Sequence, residues 1–207
     1  QSKPPAALDR PTDAQIEATA QRLRQPGAAL IVGGDALFGP LRSLAGQVAA
    51  AAGCRLMSDT LIPRVSKGAG SARMEQLVYP ITPKIAQLAD VASITLIGTE
   101  RPGAFFAYPG KPSTPEPAGC PITQLCTPVM DIAWTLEALA DALGVTGATQ
   151  AVITPLGVPD VPTGELTLAK VGQAIAALMP ENAILHNESV TSGMSVLPAL
   201  PTTRTVA

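Results

Sequence analysis

The sequence predicts an α/β fold: a doubly wound, mainly parallel sheet with helices on both faces. Three observations carry this. Short, wholly apolar runs alternate with longer stretches whose apolar residues recur at spacings of three and four. Those runs are bounded by Gly and Pro, as expected of strands buried on both sides and joined by crossover helices. The 207 residues are 46% hydrophobic but only 3% aromatic, a composition that suits Ala-rich helices on a Val/Ile/Leu sheet and is too apolar for a disordered chain.

In chain order, Thr12 can cap a helix reaching about Arg24, with Ile16, Ala20 and Leu23 on one face. Pro26-Gly27 ends it, and Ala28 to Val32 is the first strand. Gly33-Gly34-Asp35 breaks that strand. Pro40 suits the first turn of a second helix carrying Leu41, Leu44, Val48 and Ala51. Gly53 ends that helix before a strand over Cys54–Met57. The stretch from Ser58 to Tyr79 is irregular. Pro83 opens a third helix to about Ala89, and Ala92–Ile97 is the clearest strand. A Gly/Pro-rich loop, Gly98 to Gly119, leads to a strand over Pro121–Leu125. Asp131 then starts a fourth helix with Ile132, Leu136, Leu139 and Leu143 inward.

The composition changes beyond this point. We expect one domain over residues 12–145, a proline-rich linker over 146–163, and the start of another α/β unit over 164–207. In that last unit a helix carries Leu168, Val171, Ile175 and Leu178, and a strand covers Ala183–Leu185. Its apolar helix face would lack a sheet of its own.

The chemistry-bearing residues are sparse. Cys54, Cys120 and Cys126 lack zinc-type spacing, and His186 is the single histidine, so neither a metal site nor a catalytic residue is expected. No G-x-S-x-G elbow accompanies His186, which disfavours a hydrolase. A net charge of −2 leaves no electrostatic footprint for nucleic acid or an anionic membrane. No apolar run approaches the roughly 20 residues that span a bilayer. The turn at Gly33 and Gly34 stands where such folds bind phosphates, with Asp59 near the distance of a ribose-binding acid, but its spacing departs from G-x-G-x-x-G. A stand-alone nucleotide-binding module is therefore the rival reading.

Several segments together resemble a known family. These are Ala28-Ala29-Leu30-Ile31-Val32-Gly33-Gly34, Leu96-Ile97-Gly98, the stretch from Ala104 to Ser113 (AFFAYPGKPS), and the stretch from Pro180 to Ser192 (PENAILHNESVTS). In this order they resemble the thiamine-diphosphate-dependent enzymes of the acetolactate synthase large subunit and benzoylformate decarboxylase group, from about residue 12 to about 195. The resemblance implies the Rossmann-like central domain, followed by the first helix and strand of the diphosphate-binding domain. It also implies a parent enzyme, a 2-oxoacid decarboxylase, carboligase or transferase, that uses thiamine diphosphate and magnesium, is cytoplasmic and is homo-oligomeric. The activating glutamate and the G-D-G…N metal motif have no counterpart here, so the chain alone is expected to be an inactive scaffold that needs flanking domains as partners. By the same resemblance Val190, Thr191 and Ser192 fall on the loop that reaches the diphosphate, and Thr191 and Ser192 supply hydroxyl donors. Some relatives also hold FAD or an adenine nucleotide in the central domain, which would place Gly33 and Gly34 against it.

Overall fold

The computed structural model describes residues 7–189, 191–200 and 202. The chain divides into two units, one of residues 1–63 and 74–151, the other of residues 64–73 and 152–207. The segment expected as a linker is divided between them, with residues 146–151 in the first unit and 152–163 in the second.

The first unit is built on a five-stranded parallel sheet. Its strands are β1 (Ala28–Val32), β2 (Arg55–Ser58), β3 (Glu75–Gln76), β4 (Ser93–Ile97) and β5 (Ile122–Cys126). Their spatial order is β3-β2-β1-β4-β5, all parallel. The doubly wound expectation therefore holds. Every residue of β1 and β4 is buried. Both faces of these central strands are covered, which is why their sequences read as unbroken apolar runs. On one face Ala29 and Ile31 meet Ile94, Leu96 and Met57, joined by Leu88 of helix α3 (Ile81–Leu88). Side chains alternate along a strand, so Leu30 and Val32 turn to the opposite face. Helices α1 (Asp13–Leu23), α2 (Gly39–Ala52) and α4 (Ile132–Leu143) pack on one another.

Local chemistry fixes the helix ends. Thr12 and Gln15 form a reciprocal capping box at the start of α1. Asp131 caps α4 by accepting from the Trp134 amide at 3.0 Å. Gly53 and Gly144 end α2 and α4 in the left-handed conformation. In the first unit most element ends shift by about one residue from the sequence expectation, and two differences are larger. The third helix begins at Ile81, because Pro83 is tolerated within its first turn. The polar pair Glu75–Gln76 adds an edge strand that no apolar run announces.

The second unit holds helix α5 (Leu168–Leu178) and the single turn α6 (Gly193–Val196). Residues 70–73 run antiparallel to 152–154, where the Arg73 amide donates to the Val152 carbonyl at 2.7 Å and the Gly70 amide to the Thr154 carbonyl at 2.9 Å. The expected strand over 183–185 does not form. Only Ala183 makes an isolated bridge, and Ile184 is 83% exposed. The buried stripe of α5 is Gly172 and Ala176 rather than the larger Leu168 and Leu178, which are 51% and 69% exposed. Close backbone approach explains the choice, since a Cβ on Gly172 would lie 2.4 Å from the Val196 carbonyl oxygen.

Candidate functional site

In the first unit the strand order reverses between β1 and β4, and ligands of doubly wound sheets bind outside the carboxyl ends of the strands at such a switch point. A crevice of about 260 Å³ lies there, with Gly33 and Gly34 after β1, Asp59 after β2, Gly98 and Glu100 after β4, and Pro128 after β5. Asp59 thus occupies the position from which a ribose-binding acid would act. Its carboxylate accepts from the Thr60 amide at 2.6 Å.

The two glycine-bearing turns meet across the crevice floor. The Gly33 amide donates to the Ile97 carbonyl at 2.9 Å, and the Gly98 amide to the Cys126 carbonyl at 2.8 Å. A Cβ on Gly33 would stand 2.4 Å from the Gly98 carbonyl oxygen, and a Cβ on Gly98 would stand 2.7 Å from the Gly33 oxygen. Gly98 also has a φ of +67°, which side chains other than glycine rarely adopt. A one-turn 3-10 helix, Gly34–Leu37, and then Phe38 separate β1 from α2.

Beside the crevice runs the loop 98–121, which carries the Phe105–Ser113 stretch singled out above. It is held by several specific contacts. Lys84 of α3 is fully buried, donates to the Gly103 carbonyl at 3.0 Å and lies 4.8 Å from the centre of the Phe105 ring. Burial lowers the Lys84 pKa, and the charge of Asp59 opposes that shift. Phe105 stacks on Tyr79, with ring centres 5.0 Å apart. Arg101 is paired with Glu116, whose side chain is only 4% exposed. Sequence reasoning missed Lys84 as the anchor, because a lysine in an amphipathic helix gives no sign that it points inward.

The remaining candidates lie in the second unit. Val190 lies outside the described residues. Thr191 is exposed and Ser192 half-buried at the entrance to α6, where the Ser195 and Val196 amides donate to the Ser192 carbonyl at 3.0 and 3.1 Å. His186 is exposed and pairs with Glu188 at 3.1 Å. Among the described residues no three His, Cys, Asp or Glu side chains are grouped to hold a metal ion.

Together the parallel sheet and its switch-point crevice define a Rossmann-like α/β domain. Comparison with known proteins gives the particular relationship. The chain is 37% identical, over 92% of its length, to an acetolactate synthase large subunit-like protein of Mycobacterium tuberculosis strain H37Rv, and spans 36% of that relative. By fold it is similar to the thiamine diphosphate-dependent 4-hydroxybenzoylformate decarboxylase of Rhodococcus jostii RHA1, with a TM-score of 0.65, 17% identity, and coverage of 99% of this chain and 41% of that one. It is likewise similar to the benzoylformate decarboxylase of Polynucleobacter necessarius, with a TM-score of 0.56, 15% identity, and coverage of 99% and 42%. No family model matches the chain. The resemblance read from the sequence therefore holds: the chain is similar to an acetolactate synthase large subunit-like protein, of which it spans about a third, and its fold resembles part of thiamine-diphosphate-dependent decarboxylases.

Proposed function

We propose that the chain is the central, non-catalytic domain of a thiamine-diphosphate-dependent 2-oxoacid decarboxylase or carboligase resembling acetolactate synthase, followed by the opening of its diphosphate-binding domain. One observation carries the reading. Nearly the whole chain aligns with about a third of an acetolactate synthase-like relative, with 36% of that protein covered. On this reading the first unit orients the catalytic domains that flank it. Val190, Thr191 and Ser192 belong to the loop that meets the cofactor diphosphate, and the hydroxyls of Thr191 and Ser192 donate to phosphate oxygens. The thiazolium chemistry is supplied by the cofactor when it is bound in the whole enzyme. Magnesium, a homo-oligomeric assembly and a cytoplasmic location belong to the same reading.

Calorimetry of the 207-residue chain with thiamine diphosphate and magnesium tests the scaffold role. No binding and no decarboxylation of pyruvate or benzoylformate are expected. A micromolar dissociation constant would overturn the inactivity. The coding sequence on either side tests the domain assignment, because it should encode the activating glutamate upstream and the G-D-G…N motif downstream. Stop codons closing the frame without them would overturn it.

A further inference from the structure

We infer that the floor of the switch-point crevice of this chain is closed by a backbone clasp, so that the crevice rejects diphosphate-bearing nucleotides, the ligands that this place in a doubly wound sheet most often holds. In a dinucleotide site the first glycines keep side chains out of the way so that the turn's amides and the following helix N-terminus face a pyrophosphate. Here the space beside Gly33 belongs to the protein, with the Gly98 oxygen 2.4 Å and the Thr99 Cβ 2.9 Å from an added Cβ. The space beside Gly34 is likewise taken, by Ile132 Cδ1 at 2.9 Å. These glycines let β1 and β4 converge, and they open no cradle.

Two of the donors are committed as well. The Gly33 and Gly98 amides are bound within the sheet top, to Ile97 and Cys126. Helix α2 begins only after the 3-10 turn and Phe38, and Pro40 removes one amide from its first turn. Charge points the same way, since the crevice is lined by Asp59 and Glu100 and by no Lys or Arg. The Lys84 ammonium, whose field reaches Asp59, is buried against Gly103 and Phe105. A carboxylate in the ribose position, without a phosphate cradle, only repels a diphosphate. The volume of about 260 Å³ also falls below the usual range for small-molecule sites.

This inference stands apart from the thiamine reading, whose cofactor loop lies in the other unit. The test is thermal unfolding of the chain with FAD, ADP or NAD, each at about a hundred-fold excess over a micromolar dissociation constant, where binding raises Tm by several degrees. No shift is expected with any of the three, and a shift with one of them would overturn the proposal. A second arm compares Gly33→Ala with Gly39→Ala, both without nucleotide. Gly39 has a positive φ, +56°, whereas Gly33 is extended, yet an added Cβ at Gly39 meets nothing within 4 Å. Gly33→Ala should lower Tm by more than Gly39→Ala, or prevent folding. A Gly33→Ala protein as stable as the parent would show that the clasp needs no glycine and would overturn the proposal independently of any ligand.

Discussion

Asp131 combines two tasks in one side chain. It accepts from the Trp134 amide to cap α4, and it pairs with Arg10 at 2.8 Å, whose guanidinium also lies 5.0 Å from the centre of the Trp134 ring. The Trp134 amide first, and Arg10 second, hold the Asp131 carboxyl below the ordinary carboxylate range. A carboxyl whose pKa is lower folded than unfolded contributes stability above its unfolded pKa and loses it as pH falls through the folded one. Denaturant unfolding should therefore show an acid-side loss of stability beginning below about pH 4 that Asp131→Asn reduces. Asp131→Ala should cost about 1 kcal/mol at neutral pH through the lost cap. An unchanged acid limb in Asp131→Asn would remove this group from the account. Thr12 and Asp131 were legible as caps because an N-cap is a local event, set by one side chain and an amide three residues on. The Gly33–Gly98 clasp was not legible, because it joins turns 65 residues apart and the sequence shows only glycines at two distant strand ends.

At the scale of elements, burial on both faces made β1 and β4 readable from their composition, while β3 escaped notice because two polar residues at a sheet edge carry no pattern. The long connection between β4 and β5 has no repeating hydrogen bonds of its own and depends on what it touches. Its order rests on Lys84, the Tyr79–Phe105 stack and the Arg101–Glu116 pair. Lys84→Met keeps an apolar stem of similar length but removes the bond to Gly103, so the loop should loosen while the sheet persists. Chymotrypsin reports this, because it cuts after Phe105 and Phe106, whereas trypsin is hindered at Arg101 and Lys111 by the prolines that follow them. We expect cleavage at the phenylalanines to speed up severalfold in Lys84→Met with little change in Tm. Unchanged cleavage would mean that the aromatic stack alone fixes the loop.

For the whole molecule the contrast is in how much each unit buries. The first unit has fully buried strands, whereas the buried apolar cluster of the second is Ala176, Met179 and Leu200, and Leu156, Leu166, Leu178, Ile184 and Met194 are each more than 60% exposed. Hydrogen exchange should accordingly show strong protection over Ser93–Ile97 and weak protection after Pro162 in a dilute sample. Equal protection would mark the second unit as self-sufficient. The pairing of residues 70–73 with 152–154 has a temporal consequence. The first of these stretches leaves the ribosome 152 − 73 = 79 residues before its partner, a delay of about 4–16 s at a synthesis rate of about 5–20 residues per second. During that interval the nascent chain must carry residues 64–73 as an unpaired excursion between β2 and β3. For the same reason no single cut of the polypeptide separates the two units: a truncation after Ala151 discards one half of a hydrogen-bonded pair and leaves the other half behind.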